Sequence, residues 1–119
     1  MACVNGKCQL SSSVRQLREA GMDALREGDV LGAEALLRRS VAMSEAGGGV
    51  STATAHSVYR LGLALHAAGR PDEAAEQFGK ALTLVRDRAG CGSKLCQKIL
   101  AQFAAVMPSR APEWQCAAA

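Results

Sequence analysis

Apolar residues recur along this chain at three- and four-residue intervals, the period of a helix with one buried side. Val58, Leu61 and Leu65 do so mid-chain, and Leu95, Ile99, Leu100, Phe103, Ala104 and Met107 near the end. Punctuating residues separate such stretches. Gly28-Asp29 follows Ala24-Leu25-Arg26-Glu27, and Gly69-Arg70-Pro71 follows Leu65-His66-Ala67-Ala68. Glycine there tolerates the positive φ that ends a helix, and Asp29 can cap the next one. Pro71 suits a first helical position, and Asp72 and Glu73 favour the positive end of the helix dipole. Gly47-Gly48-Gly49 and Gly90-Cys91-Gly92 mark two further connections. Five helices are therefore predicted, at about residues 14–27, 30–46, 53–68, 71–88 and 93–107. Ser13 with Gln16 would form a capping box on the first, Ser51 or Thr52 would cap the third, Ser93 would open the fifth and Pro108 close it. Residues 1–12 and 108–119 read as flexible tails around a helical domain of 13–107.

The pattern repeats itself. Gly21, Gly28, Ala33, Leu37 and Ser40 each have a counterpart 41 residues on, in Gly62, Gly69, Ala74, Phe78 and Ala81. A fixed offset of this size indicates stacked helical units. Gly21 and Gly62 sit inside helical stretches, where Gly costs about 1 kcal/mol against Ala, so close approach of a second helix is expected there, with Ala33 and Ala74 facing them. Each unit is a helix, a tight turn and an antiparallel helix.

Val58, Leu61-Gly62, Leu65, Gly69, Ala74, Phe78 and Ala81 resemble the tetratricopeptide repeat pattern, and Leu17, Ala20-Gly21, Gly28-Asp29, Ala33, Leu37 and Ser40 follow it in register. The 41-residue spacing exceeds the usual 34 and is similar to the longer-helix variety of the family. The resemblance covers about residues 13–88. It implies an all-α fold: two tetratricopeptide-like helix-turn-helix repeats in an α-α superhelix, with the fifth helix as a C-terminal cap.

In this family the first helix of each pair lines a concave groove. At 100° per residue, His56, Tyr59, Leu63 and His66 fall on one face, while Val58, Leu61, Gly62 and Leu65 form another about 130° away. The matching stripe of the first unit is Arg15, Arg18, Met22, Leu25 and Arg26. Together these nine residues predict a mildly basic groove for a protein or peptide that is acidic with a few apolar anchors. Adaptor, scaffold or small-chaperone work follows from the resemblance. Chaperone-binding members grip a C-terminal carboxylate with paired Lys and Asn; the corresponding positions here are Arg18, Met22, Tyr59 and Leu63, a departure from that clamp.

Composition narrows the field. The 119 residues are 49% hydrophobic but hold only two Phe, one Tyr and one Trp, which predicts a core rich in small residues. A net charge of +3, from 14 basic and 11 acidic residues, does not point to nucleic acid. No segment reads as a membrane span or signal peptide, so a cytoplasmic setting is expected. No phosphate loop, metal-spaced histidine pair or pocketed carboxylate pair suggests an enzyme or a cofactor.

The five cysteines offer a rival reading. Cys3 and Cys8 share their spacing with Cys91 and Cys96, so a metal- or redox-responsive protein built on those four is the alternative. Cys116-Ala117-Ala118-Ala119 matches a prenylation pattern only formally, its middle residues being Ala. A third reading is structural: the N-terminal end, with Val14, Leu17 and Val41 exposed, would favour a homodimer.

Overall fold

The computed structural model describes residues 7–47, 52–89 and 93–106, and it is all-helical over them. Five helices follow in order: α1 Lys7–Arg26, α2 Val30–Ala46, α3 Thr52–Ala67, α4 Pro71–Ala89 and α5 Lys94–Val106. α1 pairs with α2 and α3 with α4; α2 and α1 then pack on α3, and α5 on α4. The second unit thus stacks on the first with α3 at the centre.

The turns follow the same local rule twice. Gly28 has φ +88° and Gly69 φ +78°. After Gly28, the Asp29 N–H donates to the Ala24 carbonyl at 2.8 Å while the Gly28 N–H donates to Leu25. After Gly69, the Arg70 N–H donates to Leu65 at 3.0 Å and the Gly69 N–H to His66. This is the paired bonding that closes a helix on a left-handed residue, and it satisfies carbonyls that the helix end leaves open. Asp29 caps α2 by accepting from the Gly32 N–H at 3.0 Å, and Pro71 is the first residue of α4. Ser93 caps α5, its Oγ accepting from the Cys96 N–H at 3.2 Å.

α1 begins six residues before the expected Ser13 capping box. Residues 7–20 contain neither Gly nor Pro, so nothing in the sequence stops the helix from extending backward to Lys7, the residue after Gly6. The proposed cap at Ser51, the centre of the Gly47-Gly48-Gly49 connection and Pro108 lie outside the described residues.

The core is a column of small and aromatic side chains. Ala33, Leu37, Ala55, Val58, Ala64, Leu65, Ala74, Phe78, Ala81, Val85, Ile99 and Phe103 have no exposed surface. Both mid-helix glycines admit a large residue from the paired helix, and at Gly21 the expected Ala33 is also at hand, its carbonyl 3.4 Å from where a Cβ would stand. A Cβ on Gly62 would stand 2.7 Å from the Phe78 ring, and one on Gly21 would stand 2.7 Å from Leu37 Cγ. Leu37 and Phe78 occupy equivalent positions in the two units. The glycine makes room for the bulky side chain one turn beyond Ala33 or Ala74, because that side chain reaches back along its own helix. Phe78 in turn stacks at a tilt between Tyr59 (centroids 5.8 Å apart) and Phe103 (6.5 Å).

Hydroxyls join the two units. Ser40 Oγ on α2 donates to the Val14 carbonyl at 2.9 Å and lies 2.8 Å from Ser57 Oγ on α3. One turn along, Ser44 Oγ meets Thr54 Oγ1. All four side chains are buried. Ion pairs line the outside of the same junction: Glu34 accepts from Arg70 at 2.6 Å and from Arg38 at 2.8 Å, and Lys80 bonds Glu45 at 3.0 Å.

The apolar end expected to drive a homodimer is already covered. Val14 is 3% and Val41 7% exposed; the Val14 carbonyl accepts from Ser40 of α2, and Val41 belongs to the core cluster. Leu17 is half-buried.

Candidate functional site

A cleft of about 270 Å³ opens between α1 and α3, lined by Arg18, Glu19, Met22 and Arg26 on one side and His56 and Arg60 on the other. Helical spacing places them: residues 18, 22 and 26 follow one another at four-residue steps along α1, as do 56 and 60 along α3, so each set forms a stripe. The cleft exists because the first helices of the two units lie side by side while their partners, α2 and α4, occupy the other layer.

Its electrostatics are one-sided. Arg18 is half-buried, and its Nη1 donates to the Ala53 carbonyl at 3.3 Å near the start of α3. Burial first, then the nearby Arg60, hold its pKa below the ordinary arginine value. The Arg60 guanidinium carbon lies 5.4 Å from the Tyr59 ring centroid, in cation–π range. Among the described residues neither Arg18 nor Arg60 has an ion pair, whereas Arg26 at the rim bonds Asp23 at 2.8 Å and Arg15 stands 4.0 Å from Glu19. His56 is half-buried between these cations. Burial lowers its pKa most, followed by the positive charges of Arg18, Arg60 and Lys98 of α5.

A lowered histidine pKa makes stability depend on pH in a definite direction. The unfolded chain takes up the His56 proton at a higher pH than the folded chain, so stability is intact above about pH 6.5 and falls as pH drops from there through the folded-state pKa. His56→Gln is expected to flatten this part of the curve. Urea midpoints measured from pH 7.5 to 5 check it; an unchanged slope in the variant would assign the loss to other groups.

Of the nine residues expected to line a groove, Arg18, Met22, Arg26 and His56 share the cleft. Tyr59 does not: it is 6% exposed, its ring turned onto Phe78, so it is a core residue and not an exposed anchor. Leu25 and Leu63 are half-buried against the core, while Arg15 and His66 are exposed outside the cleft lining. Arg60 and Glu19 went unforeseen. Arg60 was signalled by its four-residue step from His56. Glu19 lies beside the predicted stripe, on the flank of α1 that turns toward α3.

The cysteine reading loses one member. Cys96 is fully buried against the core and its thiol pKa is raised by burial, so it is no accessible partner for Cys91. Cys3, Cys91 and Cys116 lie outside the described residues, as does the side chain of Cys8. Among the described residues no group of three or more His, Cys, Asp or Glu is arranged to hold a metal ion, and no helix is long and apolar enough to cross a membrane.

Comparison with curated proteins and with solved structures gives no match for this chain. A family profile does match: that of the tetratricopeptide repeat, over residues 15–87, well over half the chain and spanning both helical pairs and the cleft. With two helix-turn-helix units in 41-residue register, closed by the same glycine turns, the chain belongs to the tetratricopeptide repeat family.

Proposed function

We propose that this protein is an adaptor or scaffold that receives an acidic segment of a partner protein in the cleft between α1 and α3. Its repeats are of a kind that generally mediates protein–protein interaction. The observation that carries the finer reading is that Arg18, whose guanidinium is half-buried, and Arg60 line one cleft without an ion pair among the described residues. A half-buried cation that has a carbonyl acceptor and the exposed Glu19 nearby, but no ion pair, is costly, and a ligand carboxylate in bidentate contact would lower that cost. Met22 on the same wall supplies an adaptable apolar contact. A cytoplasmic setting belongs to this reading, supported by an odd cysteine count and a free thiol at Cys96.

The reading is tested by placing the photo-crosslinker p-benzoylphenylalanine at Met22 or, on the opposite layer, at Ala42, and exposing each protein to arrayed acidic and neutral peptides. Acidic peptides should crosslink from Met22, and Arg60→Glu should weaken them by about tenfold or more, the scale of charge reversal at a buried contact. Equal or stronger crosslinking from Ala42 would move the partner to the α2/α4 face and end this reading.

A further inference from the structure

We propose that the anion this cleft takes is a doubly charged phosphoryl group carried on a side chain of the partner, held between the guanidiniums of Arg18 and Arg60. The inference rests on the cleft being the partner's seat and goes further in naming the charge and shape of the group.

Charge balance favours phosphoryl over carboxylate. Two guanidiniums without ion pairs face the cleft, and Lys98 of α5 adds its field at His56. Glu19 is the one acidic residue in the lining; its charge reaches Arg18, but its side chain is 68% exposed and its carboxylate is 4.0 Å from Arg15, so it offsets the cleft's charge only in part. A single carboxylate neutralises one of the two arginines. A phosphate monoester carries about −1.5 to −2 charges at neutral pH and three acceptor oxygens, enough for a guanidinium on each side. The two arginines also come from different helices, so each can meet a different oxygen of a group with three acceptors.

His56 gives the site a chemical signature. The charges around it are Arg18 from α1, Arg60 from its own helix and Lys98 from α5, with Glu19 and Arg26 on the facing wall. Arg18, Arg60 and Lys98 disfavour its protonation. A dianion placed among them offsets most of that positive charge, which favours uptake of a proton from solvent by the imidazole as the phosphoryl group binds and a hydrogen bond donated to one of its oxygens.

The test uses O-phosphoserine, inorganic phosphate and glutamate as probes, with the ring signals of both histidines followed by NMR at each pH. Phosphoserine and phosphate are expected to raise the His56 pKa and leave the signals of the exposed His66 in place, with glutamate weaker by about tenfold or more. Arg18→Gln and Arg60→Gln, each checked for helicity by circular dichroism, should abolish the phosphoserine response; if one fails to fold, the other suffices. Glutamate binding as well as phosphoserine would overturn the phosphoryl assignment while leaving the crosslinking result at Met22 standing. An identical phosphoserine response in the Gln variants, or an equal shift at His66, would overturn the site itself. Tighter binding to phosphatidate-containing vesicles than to a phosphoserine peptide would also overturn it, since the group would then belong to a membrane surface.

Discussion

Phe78→Ala is expected to lower stability by about 3–5 kcal/mol, the cost of emptying a fully buried aromatic seat. For a domain of this size that is a large share of the total, and it should appear as a melting temperature lower by upwards of about 10 °C. Phe78 links the layers: its ring touches Tyr59 of α3 on one side and Phe103 of α5 on the other, and its edge fills the space above Gly62. The Gly62 contact allows a sharper check. Gly62→Ala would set a methyl 2.7 Å from Phe78 Cε1 and 2.9 Å from Cδ1, too close unless the ring moves, and the ring is enclosed. Overpacking of this kind costs about 1–3 kcal/mol, more than the helix propensity of about 1 kcal/mol that alanine regains. With Phe78 already replaced by Ala the obstacle is gone and only the propensity remains. Gly62→Ala should therefore destabilise the parent and stabilise the Phe78→Ala variant, and denaturant midpoints for the four proteins of this cycle check the reversal. The same sign in both backgrounds would mean that the ring is free to move aside.

The second large effect lies in the hydroxyl seam. Ser40→Ala removes the donor to the Val14 carbonyl and the partner of Ser57, both serines being fully buried, at an expected cost of about 1–3 kcal/mol. Ser57→Ala should cost a similar amount. The double variant should lose less than the two together, since neither hydroxyl is then left alone, with a coupling of about 0.5 kcal/mol or more. Urea unfolding of the four proteins gives the coupling directly; additive losses would show that the two hydroxyls act independently.

Much of the fold was legible because it depends on backbone requirements that few residues meet. Gly28-Asp29 and Gly69-Arg70-Pro71 admit one reading, a closed helix followed at once by another, and the helix limits fall within a residue or two of expectation on either side of both. The N-terminal start at Lys7 was not legible, since Ser13 carries a good cap and nothing in the sequence says that the helix passes through it. The cleft was legible in part. Helical spacing separates the faces of one helix but cannot say which neighbour each face meets, and α3 is approached by α1, α2 and α4. Tyr59, the register mate of Arg18, consequently turned into the core, while His56 and Arg60 on its two sides came to face α1. Equivalent positions in successive repeats do not look across at each other; the walls of a cleft between adjacent helices are their opposing flanks. The serine and threonine seam was hidden for a similar reason. Hydroxyls at residues 40, 44, 54 and 57 carry no signal of pairing until two helices bring them together.

That seam also fixes the order of the units. In the 41-residue register the seats of Ser40 and Ser44 on α2 correspond to Ala81 and Val85 on α4, and those of Thr54 and Ser57 on α3 correspond to Ser13 and Gln16 on α1. A chain rearranged so that the second unit came first would press Gln16, exposed in the native arrangement, against Ala81, and Ser13 against Val85, leaving polar groups opposite methyls. The two copies share a helix-turn-helix order and the same glycine turn, yet their junction works in one direction only: the stack has a front and a back, written in four side chains.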